Sequence, residues 1–167
     1  MDTSLAFALH AAALATPWLA GLAVAFANYG VFVLPVALVL LGWRRPELRR
    51  AVATGIIAGG VAFGLGLVLE RVLSRPRPFV ELAFEPLLPH AADSSFPSDH
   101  TLVGVALVGA LAFARPRIGL WLLAWALLVG IARVVAGLHF ATDIIGSALL
   151  ALAIDALVWV VLRRAWH

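Results

Sequence analysis

The chain has 167 residues, of which 63% are hydrophobic, and its mean hydropathy is +1.04. Ordinary soluble domains are only about 45–50% apolar, so this composition indicates an integral membrane protein. The absence of cysteine excludes disulfides, thiol catalysis and cysteine-ligated metal sites. We expect residues 1–167 to form a single domain, because no linker or charge block divides the chain.

The apolar segments predict an all-α, polytopic membrane helix bundle. A transmembrane helix needs about 20 mostly apolar residues, and five segments reach or approach this length: residues 28–43, 51–69, 99–114, 118–136 and 143–162. The earlier segment 5–27 is also apolar, but it contains His10 and is interrupted by Pro17, and proline ends or kinks a helix. This segment is predicted to be either a sixth span or a re-entrant or interfacial hairpin, with His10 at the interface.

Glycines are concentrated in the second of these five spans, residues 51–69. They are Gly55, Gly59, Gly60, Gly64 and Gly66. Small residues at such spacing let membrane helices approach closely. We therefore expect this span to be central in the bundle.

The arginines predict the orientation of the bundle. All twelve basic residues are Arg, and eight of them are predicted to lie on one side: Arg44, Arg45, Arg49, Arg50, Arg115, Arg117, Arg163 and Arg164. By the positive-inside rule this side is cytoplasmic, so the basic composition reflects topology and does not predict nucleic-acid binding. The segment 75–98 and the turn around His139 are then expected on the outer side of a bacterial plasma membrane.

Four arginines violate the rule, and they lie beside the outward segments that carry three histidines. These arginines are Arg71, Arg75, Arg77 and Arg133. Because a guanidinium can bind phosphate through two hydrogen bonds, we interpret the violation as a binding site for an anionic substrate. Lipid headgroups contacted by long side chains are the alternative, chiefly for Arg71 and Arg75.

The outward segments also contain the residue types needed for phosphoryl transfer. A helix that begins after Ser98 would place its free backbone N–H groups at a bound anion. His139 and Asp143 are four residues apart, so on a helical turn the carboxylate can hold one imidazole nitrogen protonated and leave the other free to attack. His100 is a candidate acid, and the arginines would stabilise developing charge.

Three motifs in this region resemble those of the type 2 phosphatidic acid phosphatase superfamily. The chain has Glu70-x6-Arg77-Pro78, Pro97-Ser98-Asp99-His100 and Arg133-x5-His139-x3-Asp143. The family patterns are Lys-x6-Arg-Pro, Pro-Ser-Gly-His and Ser-Arg-x5-His-x3-Asp. The segment from Pro89 to His100 looks more narrowly like the bacitracin-resistance type of undecaprenyl-diphosphatase, which regenerates a cell-wall lipid carrier.

The resemblance implies a role for each matched residue. His139 would form a phosphohistidine, Asp143 would orient it, and His100 would protonate the leaving group and later activate water. The phosphoryl oxygens would be held by Arg77, Arg133 and Ser98. The family is metal-independent, so no metal or other cofactor is expected, and the expected partners are a polyprenyl diphosphate lipid and the membrane, without nucleic acid or an obligatory protein.

Departures from the motifs suggest further substrate-binding residues. Glu70 replaces the Lys of the first motif, and we expect Arg75 to supply the missing positive charge. Asp99 replaces Gly, with its side chain turned from the anion and its backbone N–H directed towards it, and His90 is a candidate contact to the second phosphate. Alternatively, Glu70, Asp93 and Asp99 attract a divalent cation that accompanies the diphosphate.

Two other functions remain as alternatives. The same motifs suit a phosphatase or phosphotransferase acting on phosphatidic acid or phosphatidylglycerol phosphate. A small anion or lipid transporter would also place arginines at a membrane face. A transporter would be expected to contain inverted repeats, and the sequence has no convincing internal repetition.

Overall fold

A computed structural model describes residues 2–165, and within this range every regular element is helical. The helices are α1 (Asp2–Leu14), α2 (Pro17–Tyr29), α3 (Val33–Arg44), α4 (Arg49–Val72), α5 (Pro78–Glu81), α6 (Asp99–Ala114), α7 (Pro116–Val135) and α8 (Ala141–Ala165). Two short 3-10 turns, Gly30–Phe32 and Pro46–Leu48, connect α2 to α3 and α3 to α4. The predicted all-α architecture is confirmed.

Four helical stretches in the described part of the chain are long and apolar enough to cross a membrane. They are Pro17–Arg44, Pro46–Val72, Pro116–Val135 and Ala141–Leu162. The shorter apolar helix Asp99–Ala114 has 16 residues and coincides with a predicted span. These observations support a multi-pass membrane protein, and they place the later predicted spans within a few residues of the observed helices.

The predicted start of the first span, at residue 28, was wrong, although the predicted interruption at Pro17 is present: α1 ends at Leu14 and α2 begins at Pro17. Pro17 is the first residue of α2, where its missing N–H has no intrahelical partner to lose. From there α2, the 3-10 turn and α3 form one stretch to Arg44, so the span begins well before residue 28. The separate helix α1, at 13 residues, extends only about 20 Å and is too short to cross the bilayer alone.

The centre of the bundle is α6 rather than the glycine-rich α4. Helix α6 packs against α4, α7 and α8 and buries nine of its residues. On α4 the close approach is made by Gly55, where an added Cβ would lie 2.1 Å from the Leu107 backbone oxygen, whereas Gly60 has no atom within 4 Å of such a Cβ. Glycines such as Gly55 therefore allow α4 to pack closely against the central helix α6, whereas Gly60 is not part of this contact.

Candidate active site

The turn between α7 and α8 carries His139, and we call residues 136–140 the His139 turn. Gly137 has φ +81°, and an added Cβ would lie 2.5 Å from the Phe84 ring, so both the backbone and the available space favour glycine. The Leu138 N–H donates to the Arg133 carbonyl at 3.0 Å, which ties the turn to the end of α7. Helix α8 begins immediately after the His139 turn, and Asp143 lies in the first helical turn of α8.

His139 is buried, with 1% of its surface exposed, and its two ring nitrogens have different surroundings. Nδ1 lies 2.7 Å from the Ser95 carbonyl oxygen, which only accepts, so Nδ1 carries the proton. Nε2 therefore has the lone pair, and it faces Arg77 Nη1 at 3.2 Å and Arg133 Nη2 at 3.5 Å. The nitrogen with nucleophilic character is thus directed at two guanidinium groups.

Both of these arginines are buried, and other groups hold them in place. Arg77 donates through Nε to Asp93 Oδ1 at 2.6 Å and through Nη1 to the Leu138 carbonyl at 3.0 Å. Arg133 Nη2 donates to His90 Nε2 at 3.0 Å. Arg133 Nε is buried and has no hydrogen-bond partner among residues 2–165. A buried unpaired donor is costly, so this N–H marks a position suited to an acceptor such as a phosphoryl oxygen.

Burial and neighbouring positive charges favour the neutral forms of His139 and His90. Burial lowers the pKa of His139 well below its ordinary value, and the charges of Arg133 and Arg77 lower it further. Burial also lowers the pKa of His90, with additional contributions from Arg77 and Arg133. A neutral His139 at physiological pH has the free lone pair that nucleophilic attack requires.

Asp143 lies beside His139 but does not directly hold its ring. Its Oδ2 is 3.9 Å from His139 Nδ1, beyond hydrogen-bond distance. Oδ2 instead accepts from the Phe140 N–H at 2.8 Å and from the Ser95 hydroxyl, while Oδ1 accepts from Arg75 at 2.5 Å. The predicted direct bond from carboxylate to imidazole is therefore absent from the structure, and the two groups are linked through Ser95.

Ser95 was missed by the sequence reasoning. It is fully buried, its carbonyl accepts from His139 and its hydroxyl donates to Asp143. Its own N–H donates to the Arg75 carbonyl at 2.8 Å. The contact with the imidazole comes from the backbone, which any residue type possesses, so no side-chain pattern identifies this position.

Arg75 does not reach the guanidinium-lined side of His139. Its Nη1 donates to Asp143 and to Thr142 Oγ1 at 2.8 Å, and its Nη2 donates to Asp2 Oδ2 at 2.8 Å. The guanidinium carbon lies 4.5 Å from the centre of the Phe140 ring. The expectation that Arg75 replaces the lysine of the first motif is inconsistent with this placement, because both terminal nitrogens are already engaged.

The start of α6 brings Ser98, Asp99 and His100 to the same end of the bundle. The helix begins after Ser98, as predicted, but the hydroxyl of this buried residue pairs with Thr101 Oγ1 at 3.2 Å and makes no capping bond to the backbone. The Asp99 carboxylate is turned towards α4, where its Oδ1 would lie 3.0 Å from a Cβ on Gly66. His100 lies within electrostatic range of Arg133, His90 and Arg77.

Glu70 lies on α4 beside Asp93 and within electrostatic range of Asp99 and Arg77. Because Asp93 in turn binds Arg77, Glu70 belongs to the surroundings of that arginine. Across residues 2–165 no three His, Asp or Glu side chains are grouped so that they could hold a metal ion. The alternative of a divalent cation held by Glu70, Asp93 and Asp99 therefore has no coordination site in the described chain.

An apolar groove reaches the position of His100 from the side of the bundle. It has a volume of about 320 Å³ and is bordered by Asp99 and His100 at its polar end. Apolar side chains of the α2–α3 connection, α3, α4 and α6 form the rest of its lining: Val31, Phe32, Pro35, Phe63, Val103 and Leu107. Phe32 and Phe63 are exposed on the surface of the bundle, so the groove is open laterally.

Comparison with known proteins identifies relatives with similar sequences over most of this chain. BcrC of Bacillus subtilis, an undecaprenyl-diphosphatase, is 35% identical over 128 residues, which are 75% of this chain and 66% of that protein. YbjG of Escherichia coli is 32% identical over 151 residues, covering 89% of this chain and 76% of its own length. The chain thus spans about two thirds to three quarters of these relatives.

A solved structure has the same fold. The crystal structure of a transmembrane PAP2-type phosphatidylglycerolphosphate phosphatase from Bacillus subtilis is similar with a TM-score of 0.73 and 26% identity, covering 98% of this chain and 85% of the other. The PAP2 superfamily matches residues 49–167, which include all three motifs. The resemblance stated from the motifs is confirmed, and the chain belongs to the PAP2 superfamily.

Proposed function

We propose that this protein is a membrane lipid phosphatase that hydrolyses undecaprenyl diphosphate to undecaprenyl phosphate and inorganic phosphate. The name of the BcrC relative and the local resemblance of residues 89–100 support this substrate. The observation that carries the chemistry is the asymmetry of His139. Nδ1 is held protonated by the Ser95 carbonyl at 2.7 Å, and Nε2 is directed at Arg77 and Arg133.

In the first step the Nε2 lone pair of His139 attacks the terminal phosphorus. The bond between this phosphorus and the bridging oxygen breaks, and the lipid monophosphate leaves with a proton from His100. Burial and the nearby Arg133 and Arg77 disfavour the imidazolium form of His100 in the free protein, so the negative charge of the bound diphosphate is required to offset them. The N–H groups of Arg77 and Arg133 move from Nε2 to the phosphoryl oxygens, so the lone pair is released when the phosphate takes over its donors. Donors fixed in such a dry site contribute several kcal/mol at a developing charge, about 3–4 kcal/mol each.

In the second step water attacks the phosphohistidine. His100, now neutral, accepts a proton from the water as its oxygen bonds to phosphorus, and the P–N bond breaks to return the electron pair to Nε2. Inorganic phosphate leaves, and His139 is neutral again. Lowering of the His139 pKa by burial and by Arg133 and Arg77 favours both attack by the neutral ring and departure of the neutral ring.

The lateral groove is suited to the hydrocarbon part of the substrate. Its lining is apolar except at Asp99 and His100, so a prenyl chain lying in it would bring its diphosphate to the start of α6. In this proposal His100 would lie beside the bridging oxygen, where the leaving group needs its proton. The free N–H groups of the α6 N-terminus would face the same phosphates.

We place the site on the outer face of the membrane. Arg44 ends the first span and Arg45 follows it, and Arg115 and Arg117 lie at the start of α7, whose other end leads to His139. The positive-inside rule makes the arginine-rich end cytoplasmic. A lipid diphosphate released outside the cell would then be the available substrate.

Another lipid phosphate is the second candidate substrate. The structural relative that acts on phosphatidylglycerol phosphate has the same fold over nearly the whole chain. The groove has no polar side chains that would distinguish a prenyl chain from acyl chains, apart from the two at its end. A phosphotransferase would use the same phosphohistidine with a lipid hydroxyl in place of water.

The test is phosphate release in detergent from a panel containing undecaprenyl diphosphate, phosphatidic acid and phosphatidylglycerol phosphate, with chelator present. We expect the highest kcat/KM for undecaprenyl diphosphate, full activity in chelator, and loss of activity in His139→Ala. Preference for another lipid would change the substrate assignment. Activity that survives in His139→Ala would contradict the proposed nucleophile, and activity lost in chelator would contradict a metal-independent reaction.

A further inference from the structure

Helix α1 contacts the chain on both sides of the His139 turn, although it precedes the region that the superfamily matches, residues 49–167. Asp2, near the start of α1, bonds Thr142 just after the turn. His10, two turns further along the helix, bonds the carbonyl of Val135 just before it. The helix therefore bridges the end of α7 and the start of α8.

The Asp2 carboxylate makes three hydrogen bonds in this position. Oδ2 accepts from Arg75 Nη2 at 2.8 Å and from the Thr142 hydroxyl, and Oδ1 accepts from the Thr142 N–H at 3.3 Å. Thr142 is the second residue of α8, so Asp2 satisfies one of its free N–H groups from another helix. Burial alone would raise the pKa of Asp2, but the bonds from Thr142 and Arg75 lower it below its ordinary value.

His10 anchors α1 independently at the other side of the turn. It is 2% exposed, and its Nδ1 donates to the Val135 carbonyl at 3.3 Å. Its ring stacks on Phe84 with 4.4 Å between centroids, and Phe84 in turn covers Gly137. His10 is thus a buried packing residue with partners on α7 and in the segment that follows α5.

We propose that Asp2 is a positioning residue for the reaction of His139. Arg75 is shared by two carboxylates, Asp2 and Asp143, which lie 2.8 Å and 2.5 Å from its terminal nitrogens. Asp143 binds the Ser95 hydroxyl, and the Ser95 carbonyl holds His139 Nδ1. Through this connected series Asp2 fixes the imidazole without contacting the substrate.

The expected effect of removing the Asp2 charge follows from this geometry. Arg75 is partly exposed, with 36% of its side chain accessible, so without its second carboxylate it is free to shift and Asp143 moves with it. Small displacements of a reacting group reduce rates strongly. We expect Asp2→Asn to lower kcat about tenfold and to leave KM unchanged, because Asp2 lies away from the arginine-lined face of His139.

The inference rests on the proposed phosphohistidine, so the experiment follows that species. Undecaprenyl diphosphate labelled in its terminal phosphate is mixed with excess protein in detergent, and the rate of acid-labile, base-stable protein labelling is measured. Asp2→Asn is compared with the conservative Asp2→Glu and with Ser4→Ala, an exposed position on the same helix. Labelling should be about tenfold slower in Asp2→Asn, substantially restored in Asp2→Glu and native-like in Ser4→Ala.

A double variant separates positioning from a general effect on the fold. Because Asp2 acts through Arg75, Asp2→Asn should cause no further loss of kcat in an Arg75→Gln background. A full additional loss there, or native-like labelling in Asp2→Asn alone, would overturn the inference. If Asp2→Asn does not fold, Thr142→Val can be used instead, because it removes the hydroxyl that donates to Asp2 and lies at an exposed position. This variant should also slow labelling, and an unchanged rate would overturn the inference. Absence of labelling in the native chain would instead overturn the proposed function.

Discussion

Replacing Asp143 by asparagine tests how the His139 imidazole is held. In the native structure the carboxylate accepts from the Phe140 N–H at 2.8 Å, from the Ser95 hydroxyl and from Arg75 at 2.5 Å. Asparagine is similar in shape, but its amide nitrogen cannot accept a hydrogen bond. One of the two oxygen positions of Asp143 therefore no longer accepts a hydrogen bond. We expect this to be the position that faces Arg75, because Arg75 is more exposed than Ser95 and Phe140.

The magnitude follows from the loss of one charge-assisted hydrogen bond. Such a bond contributes about 1.5–3 kcal/mol, which corresponds to a rate reduction of about 10- to 100-fold if all of it is lost in the transition state. The Ser95 carbonyl is a backbone group and remains 2.7 Å from His139 Nδ1, so the protonated nitrogen stays the same. In a triad whose carboxylate holds the imidazole directly, the corresponding change costs about 10⁴-fold.

The assay is single-turnover formation of the labelled phosphoenzyme from undecaprenyl diphosphate. His139→Ala gives the background level of labelling. Glu81→Gln, at an exposed position, is the matched control for a change from carboxylate to amide. Thermal unfolding in detergent shows whether each variant is folded. A loss near 10⁴-fold in a folded Asp143→Asn protein would refute the indirect arrangement and indicate a direct bond from Asp143 to His139 during the reaction.

Two further predictions concern charge and packing. Arg133→Gln removes a positive charge that lowers the His139 pKa. This pKa should therefore rise, and the acidic limb of the plot of kcat/KM against pH should move to higher pH. The control Arg71→Gln, at an exposed position, should leave that limb in place. An unshifted limb in Arg133→Gln would contradict the electrostatic assignment. Gly55→Ala places a Cβ against the α6 backbone and should reduce the free energy of unfolding by about 1–3 kcal/mol, while Gly60→Ala, with no atom within 4 Å, should be neutral or stabilising. Equal unfolding midpoints in detergent would contradict this difference in packing.

Several features follow from the sequence alone because they depend on local composition and spacing. The length of each apolar segment determines whether a helix is long enough for the bilayer, and the later predicted spans agree closely with the observed helices. The motif spacings around Arg77, His100 and His139 identified the superfamily that the comparisons confirm. The interruption at Pro17 was also predicted, but the first span was started at residue 28 because proline in the first turn of a helix does not show by itself that α2 continues through the 3-10 turn into α3.

The tertiary structure decided which groups meet and which do not. Arg75 and Arg77 are two residues apart, yet one binds Asp2 and Asp143 while the other contacts His139 and Asp93. Sequence spacing placed Asp143 beside His139, but a distance of 3.9 Å and the intervening Ser95 carbonyl appear only in the fold. A backbone carbonyl has no residue-specific signal, and the hydrogen bond that the Thr142 N–H donates to Asp2 joins positions 140 residues apart. Such contacts are determined by the packing of distant helices, which periodicity along one segment does not encode.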